Sequence, residues 1–302
     1  RKIPFIVISG NHDSAERLSF ASRILRGTGL FLCGDLYHTL EPVVLKDNDG
    51  EVAFAPLPYA EPGKVREALS ADVHTHEEAE RVLSDFLLRQ MGHAARKVAI
   101  AHEFVAGGSA SDSERPLSIG GTDLISADVF APYNYTALGH LHGPQKAGGK
   151  ENVRYSGSLL KYSFSEATQK KGVIVGEIDG AGQVKTTFIS LSPRHDVRVI
   201  KGFFDDLIKG ESEDFLMAEL LDEGPVIDAM ARLRQKYPRM MTIQSHRRMN
   251  SGSGERSFDL MKKVDPLDMF RVFYKEFQDK EFTEEEENYM KELWEDLRKE
   301  DD

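Results

Sequence analysis

The residues of this sequence that could do chemistry begin just after a short apolar run at residues 4–8. That run predicts a buried strand, and Asn11, His12 and Asp13 follow it after a glycine. An asparagine amide oxygen can bind a hard or borderline metal ion, and a histidine beside a carboxylate can act as a general acid. A strand that ends in an Asn-Asp turn would give the same tetrapeptide, so this segment alone leaves both interpretations open.

Two later apolar runs also end in histidines. Residues 97–101 lead to His102, and residues 135–139 lead to His140 and His142. Strand ends of a parallel sheet meet at one edge, and side chains two residues apart on an extended segment point the same way. A single strand-end histidine is more often structural, but four on three strand ends favour a metal site. The residues expected to share this edge are Asn11, His12, His102, His140 and His142.

The order Gly-Asn-His-Asp, Ala-His and Gly-His-Leu-His resembles the calcineurin-like metallophosphoesterases. That resemblance implies an α/β (α+β sandwich) fold, the metallophosphoesterase fold of two mixed β-sheets flanked by helices. It also implies two divalent metal ions, with manganese expected, that activate water and neutralise the transition state of phosphate ester hydrolysis.

Segments at residues 101–107, 156–162 and 233–238 narrow this resemblance to the SbcD family of bacterial nuclease subunits. The resemblance covers essentially the whole chain. It implies a metal-dependent DNA exonuclease and endonuclease that cleaves DNA ends and hairpins in DNA repair, recombination and replication. It also implies complex formation with SbcC, a coiled-coil ATPase, and a homodimer within a heterotetramer.

In the family pattern, one metal ion is bound by Asn11, His102 and His140, and His142 helps to bind the other. The pattern also places an Asp-x-His and a Gly-Asp strand end before Gly-Asn-His-Asp. Neither precedes it here, since the sequence begins with Arg1 and enters the first apolar run almost at once. We therefore expect an N-terminally truncated nuclease domain with an incomplete metal site.

The family pattern gives His12 the role of assisting the leaving group or transition state, with support from Asp13. Substrate contacts are predicted in a polar loop before residue 115 and in a small-residue turn after residue 155, whose backbone amides could approach a phosphate. Flexibility of the loop and solvation of the basic residues explain these stretches equally well. The residues predicted to bind substrate are Arg115, Ser156, Ser158 and Lys161.

Helical spacing predicts two helices near the proposed site. Residues 15–26 have helical composition and lead away from it. Residues 77–90 predict an amphipathic helix. The side chains expected to face inward from this second helix are Ala79, Val82, Leu83, Phe86 and Leu87.

Composition changes predict four regions. The family resemblance implies that residues 1–192 are the nuclease domain, and that residues 193–248, a small β-α-β unit with a helix beginning at Pro225, are a capping domain that binds DNA. Residues 249–257 have linker composition. Residues 258–302 predict C-terminal helices that either pack on the body or bind the ATPase partner.

The whole chain of 302 residues has 40% hydrophobic and 29% charged residues, as in a water-soluble protein, and no apolar run long enough to cross a membrane. Its single cysteine cannot form an internal disulfide, so we expect a cytoplasmic protein. We also expect it to be nucleoid-associated and to have no membrane partner. The net charge is −11. Because 11 acidic and only 3 basic residues lie in 281–302, this charge argues against DNA binding only for that segment.

Two other functions are compatible with these observations. A phosphodiesterase or phosphatase of the same fold could act on a small substrate or a phosphoprotein, although the appended capping region favours DNA. A chain that lacks the first metal ligands could instead serve as an inactive binding scaffold. Metal titration and a comparison of DNA with a small phosphodiester distinguish these possibilities.

Overall fold

The computed structural model describes residues 3–111, 114, 124–245, 270, 283, 286, 287, 289 and 290. The predicted mixed α/β fold class is confirmed, because strands and helices alternate along this part of the chain. Its strands are β1 (Phe5–Ile8), β2 (Leu30–Cys33), β3 (Val43–Asp47), β4 (Gly50–Leu57), β5 (Arg96–His102), β6 (Phe104–Val105), β7 (Leu124–Ile125), β8 (Tyr135–Gly139), β9 (Gln145–Ala147), β10 (Lys150–Tyr155), β11 (Gly172–Ile178), β12 (Val184–Ser190), β13 (Val197–Gly202), β14 (Phe215–Leu220) and β15 (Met240–Ser245). Its α-helices are α1 (Ala15–Leu18), α2 (Ser22–Arg26), α3 (Pro62–Leu69), α4 (His76–Met91), α5 (Phe204–Leu207) and α6 (Ala229–Arg234), and short 3-10 helices lie at Ala127–Phe130 and Phe164–Glu166.

A six-stranded mixed sheet with the order β3-β4-β5-β8-β10-β9 carries two of the histidine-bearing strand ends. Strands β4, β5, β8 and β10 are parallel, and an antiparallel strand closes each edge. Small residues on β4 and β5, such as Ala55, Ala99 and Ala101, are fully buried and belong to the main hydrophobic core. Because β5 and β8 are adjacent and parallel, His102 and His140 lie at the same edge.

Strand β1 lies outside this sheet and pairs in parallel with β2. The expectation that all three histidine-bearing ends belong to one sheet is therefore wrong. The reason is that β5 already has β4 and β8 as its two hydrogen-bonded neighbours. The end of β1 is instead tied to the segment after β4, where the Tyr59 N–H donates to the Ser9 carbonyl at 3.0 Å.

The predicted helix over residues 15–26 is interrupted, and α1 and α2 are separate short helices. Ala21 adopts a left-handed conformation with φ of 58°, which an α-helix cannot continue through. The second predicted helix is α4, and it begins with a capping box between Thr75 and Glu78. Its buried residues include Leu83 and Leu87, whereas Phe86 is 37% exposed rather than inward.

The C-terminal part of the described chain contains the three-stranded sheet β13-β14-β15 with α5 and α6, and β11 and β12 form an antiparallel pair before it. Helix α6 begins at Ala229 rather than at Pro225, because Asp228 takes a left-handed conformation with φ of 51° just before it.

The chain divides into two compact units. One contains residues up to 199 with 212–217 and 237–241, and the other contains 200–211, 218–236 and the described residues from 242 onward. The predicted limits of the four regions, 1–192, 193–248, 249–257 and 258–302, remain predictions, and most of the last two lies outside the described residues. None of the described helices has the length and apolar composition needed to span a membrane.

Candidate active site

His102 ends β5, and its side chain reaches the segment that follows β1. The Nε2 atom of His102 lies 3.0 Å from the Oδ1 atom of Asn11. Asn11 follows β1 and His102 ends β5, so the two residues come from different sheets. Their contact brings together two of the residues that were predicted to share a metal site. A nitrogen and an amide oxygen at this distance form a pair of donor atoms that could face a shared cation.

Two glycines make room for the His102 ring. A Cβ atom added at Gly10 would lie 2.6 Å from the ring, and one added at Gly139 would lie 2.8 Å from its Nδ1 atom. Gly139 is the residue opposite His102 in the β5–β8 register. Glycine is therefore required at both positions if the imidazole is to keep this orientation.

His140 follows β8 and lies beside His102. The ring centroids of His102 and His140 are 5.4 Å apart in an edge-to-face arrangement, and Phe104 flanks the His140 ring at 5.9 Å. The backbone of His140 has φ of 103°, an unusual value for a residue other than glycine. The extended segment expected for His140 to His142 is therefore not found, because the chain turns at His140.

His142 consequently meets a different set of neighbours. Its Nδ1 atom lies 3.0 Å from Glu166 Oε1, its ring centroid lies 5.4 Å from that of Tyr162, and its N–H donates to Glu114 at 2.6 Å. In the part of the chain that the structure describes, no group of three or more His, Cys, Asp or Glu side chains could hold a metal ion. The donor residues that do converge are Asn11, His102 and His140.

Burial sets the protonation state of the His102 ring. The pKa of His102 is lowered to about 4, mainly by burial and in smaller part by the charges of His140 and His12, while the charge of Asp13 raises it. His102 is therefore neutral near pH 7. A neutral imidazole is the form that can donate its lone pair to a metal ion.

His12 and Asp13 are exposed in the turn after Asn11. The Asp13 Oδ2 atom accepts a hydrogen bond from the Gly10 N–H at 2.8 Å, so this carboxylate stabilises the turn. Sequence reasoning predicted that Asp13 would support the His12 imidazole. In the structure, the Asp13 carboxylate is hydrogen-bonded to the Gly10 backbone, in the same turn that carries His12.

A buried tyrosine fixes the backbone beyond His102. The Tyr155 hydroxyl donates to the Glu103 carbonyl at 2.7 Å and accepts from the Val105 N–H at 2.8 Å. Tyr155 is fully buried. It therefore connects the end of β10 to the segment that leaves β5, and sequence analysis did not identify it as a supporting residue.

The predicted substrate-binding residues have varied surroundings. The Ser158 hydroxyl donates to the Leu160 carbonyl at 2.7 Å, and Ser156 lies in the same turn, where it is half-buried. The Lys161 ammonium donates to the Ala167 carbonyl at 2.8 Å, to Asp196 at 3.0 Å and to a neighbouring backbone carbonyl. Arg115 lies outside the described residues.

Comparison with known proteins gives matches to a family model and to a curated protein. A family model described as type 5 capsule protein repressor C-terminal domain, SbcD_C, matches residues 193–277. The chain is also 30% identical over 298 residues to the D component of the nuclease SbcCD from Staphylococcus epidermidis, and the match covers 97% of this chain and 78% of that protein.

The chain belongs to the SbcD family of nuclease subunits. The resemblance predicted from residues 101–107, 156–162 and 233–238 is confirmed. The family model begins to match at residue 193, the residue at which the capping region was predicted to begin.

In this SbcD family member, sequence reasoning missed a buried acid–base pair next to His142. Glu166 and Lys171 are almost completely buried, and their charged groups are 2.6 Å apart. The sequence at this point reads as a polar stretch, with Lys170 and Lys171 side by side, and only Lys170 is exposed. One signal in the sequence could have identified Lys171. It lies directly before the strand that begins at Gly172, where the chain is expected to pass from the solvent into the protein interior.

The residues at the SbcD site fit a divalent cation in part. Two imidazoles and an amide oxygen form a donor set that divalent cations such as manganese, iron or zinc accept. The close glycines support this use because they leave room for the ring with its Nε2 atom next to Asn11, and a neutral His102 has a lone pair that a cation can accept. The carboxylates of the family pattern are not part of this donor set.

Proposed function

We propose that this chain is a metal-dependent DNA nuclease subunit that hydrolyses phosphodiester bonds at DNA ends and hairpins. The supporting observation is the convergence of Asn11, His102 and His140 from two different sheets, with the Asn11 and His102 donor atoms 3.0 Å apart. The name of its Staphylococcus relative, which is that of a nuclease component, supports the same reaction class.

Two divalent cations, with manganese as the proposed identity, complete this site. Asn11, His102 and His140 would hold one ion, and His142 would help to hold the other. When bound, such cations activate water and neutralise charge on the phosphodiester. Binding of a cation through the His102 imidazole requires that ring to be neutral, and burial is the main cause of its lowered pKa of about 4.

The turn that carries His12 supplies the proposed proton transfer. His12 is exposed in the turn directly after Asn11, where it could donate a proton to the leaving oxygen. Asp13 supports this role through the turn, since its carboxylate accepts the Gly10 N–H at 2.8 Å. The backbone, rather than a direct contact, would then hold His12 in place.

Substrate binding is proposed for Arg115, Ser156, Ser158 and Lys161. The turn at Ser156 and Ser158 lies next to His142, because the Ser158 N–H donates to the His142 carbonyl at 3.0 Å. Lys161 would contact a phosphate only by exchanging one of its three oxygen partners. Of these proposed contacts, the turn therefore has the strongest structural support.

The proposed partners are DNA and an SbcC-type coiled-coil ATPase, with the chain present as a homodimer within a heterotetramer. The proposed roles are in DNA repair, recombination and replication, in the cytoplasm and associated with the nucleoid. The relative is named as one component of SbcCD, and this name supports the ATPase partner. The capping region at 193–248 and the helices at 258–302 are the proposed contacts to DNA and to the ATPase.

The test is cleavage of linear and hairpin DNA with and without manganese. His102→Ala and His140→Ala should each lower the rate by about 100-fold or more, since each removes a proposed metal ligand. His74→Ala is the matched control, because the side chain of His74 is 72% exposed and pairs with Asp72 on the surface.

Three outcomes would contradict the proposal. Unchanged cutting by both histidine variants would remove the proposed site. Cleavage of bis-nitrophenyl phosphate without cleavage of DNA would favour a small-substrate phosphodiesterase. Absence of manganese binding in a calorimetric titration of the wild-type chain would favour a binding scaffold.

A further inference from the structure

A fully buried carboxylate lies between His142 and a buried lysine. Glu166 Oε1 is 3.0 Å from His142 Nδ1, and Glu166 Oε2 is 2.6 Å from Lys171 Nζ. The Glu166 side chain has no exposed surface, and that of Lys171 is 3% exposed. Burying the charges of Glu166 and Lys171 costs free energy, unlike the formation of an ion pair on the surface. This cost points to a role of these two residues beyond stability.

Lys171 is also bound to the backbone of His142. Its ammonium donates to the His142 carbonyl at 2.8 Å, to Ser158 Oγ at 2.9 Å and to Gln169 Oε1 at 2.8 Å. Together, Glu166 and Lys171 hold both the ring and the main chain of the same histidine. The three residues are linked although 29 positions separate His142 from Lys171.

The turn after β10 completes the enclosure around His142. A Cβ atom at Gly157 would lie 2.6 Å from the His142 carbonyl oxygen, and φ at Gly157 is 78°. The Tyr162 N–H donates to Glu166 Oε2 at 3.3 Å, and the Tyr162 ring lies 5.4 Å from the His142 ring. The loop that carries the proposed substrate contacts is thus built around this histidine.

A carboxylate at Nδ1 has a specific chemical consequence. It favours the imidazole in which Nδ1 carries the proton, so the lone pair is on Nε2. Histidines that bind metal ions commonly donate their other ring nitrogen to a carboxylate, which fixes the ring and strengthens the donor.

We propose that Glu166 and Lys171 are positioning residues that hold His142 with Nε2 as its donor nitrogen toward the second cation. This inference rests on the proposed function, which assigns His142 to that cation. Glu166 orients the ring, and Lys171 orients Glu166 and the main chain. Neither residue needs to touch the substrate.

The test uses the full chain and manganese alone as the probe, measured by calorimetry. Glu166→Gln should weaken manganese binding about 10- to 100-fold, because the amide keeps the volume but not the charge. Glu80→Gln is the matched control, since Glu80 is also a fully buried glutamate and lies in helix α4. It should leave manganese affinity unchanged.

A second measurement does not depend on metal. In the metal-free protein, ¹⁵N NMR of the His142 ring should show a protonated Nδ1 in the wild type and a mixture of tautomers in Glu166→Gln. If Glu166→Gln fails to fold, the double variant Glu166→Gln/Lys171→Met removes both buried charges together and should show the same loss of affinity.

Wild-type affinity and an unchanged His142 spectrum in the folded Glu166 variant would overturn the inference. A loss no larger than that of Glu80→Gln would overturn it as well. If the wild-type chain binds no manganese, the proposed function fails, and the NMR comparison alone then decides whether Glu166 orients His142.

Discussion

At the scale of single residues, the site depends on two glycines, which have no side chain and so leave space for a histidine ring. The His102 ring fits between Gly10 and Gly139, and a Cβ atom at either position would lie closer than 3 Å to it. Real Cβ contacts do not approach this closely, so any larger residue must displace the imidazole. Small residues at the ends of β1 and β8 are therefore as important to the site as the histidine itself.

We expect Gly139→Ala to lower DNA cleavage by at least about 10-fold, because small displacements of a catalytic group have effects of that size. The added methyl group would push His102 away from Asn11. Steady-state cleavage with manganese is the measurement. Gly176→Ala on β11 is the control, since a Cβ atom there meets nothing within 4 Å.

An effect of Gly139→Ala no larger than that of Gly176→Ala would contradict this account of His102. A crystal structure of the variant would then show whether the ring had moved without consequence.

Glu80 gives a second prediction at this scale. Burial raises the pKa of Glu80 from 4.5 to about 8, so the folded protein keeps its proton where the unfolded chain has lost it. The free energy of unfolding should therefore fall as pH rises from about 4.5 to about 8, by a few kcal/mol. Above that window, both states are ionised and the contribution is constant.

Glu80→Gln should remove this part of the pH dependence, because the amide has no proton to lose. Urea denaturation at a series of pH values from about 5 to about 8 measures it. The same slope of stability against pH in the variant and the wild type would show that Glu80 is not the group responsible.

At the scale of elements, the strand ends are fixed relative to each other by hydrogen bonds that cross between them. Tyr155 at the end of β10 bridges the Glu103 carbonyl and the Val105 N–H just beyond β5. The Tyr59 N–H links the segment after β4 to the Ser9 carbonyl after β1. The Tyr59 link ties the end of β1, which lies outside the central sheet, to the end of β4, and so helps to bring Asn11 to His102.

Tyr155→Phe should lower the free energy of unfolding by about 1–3 kcal/mol, because the buried Glu103 carbonyl and Val105 N–H lose their common partner. Chemical denaturation of the variant gives this value. Tyr162→Phe is the control, since the Tyr162 side chain is largely exposed. Equal stability of the two variants would show that the bridge contributes nothing measurable.

At the scale of the whole molecule, the proposed activity combines a nuclease region with regions for DNA and for a partner. The chain divides into two compact units, and the SbcD_C family model matches residues 193–277. The net charge of −11 is concentrated in 281–302 and so does not oppose DNA binding elsewhere. The segment at 258–302 is where we place the contact with the ATPase.

A variant that ends at residue 257 should lose binding to an SbcC-type ATPase but keep manganese-dependent cleavage of short DNA. The reason is that the proposed metal ligands all lie before residue 143. Size-exclusion chromatography with the purified partner measures binding. Retained complex formation would move the partner site to another part of the chain.

Sequence reasoning reached the fold class, the family and the strand-end positions of His102 and His140, because these depend on short local patterns of apolar and polar residues. It could not reach the interruption at Ala21 or the turn at His140, because unusual backbone angles are imposed by surrounding structure. The prediction that Phe86 faces inward was wrong for a related reason. Helical spacing does not show how wide a face of helix α4 is covered by the rest of the protein.

By itself, the sequence determined which donor atoms this protein offers and that they follow apolar strands. Only the tertiary structure decided that β1 pairs with β2 outside the central sheet, and that His142 contacts Glu166 rather than continuing in line with His140. The physical reason is that strand pairing and the burial of charged side chains depend on residues far apart in the chain. Lys171 illustrates this, since its charge is stabilised inside the protein only where Glu166 and the His142 carbonyl meet it.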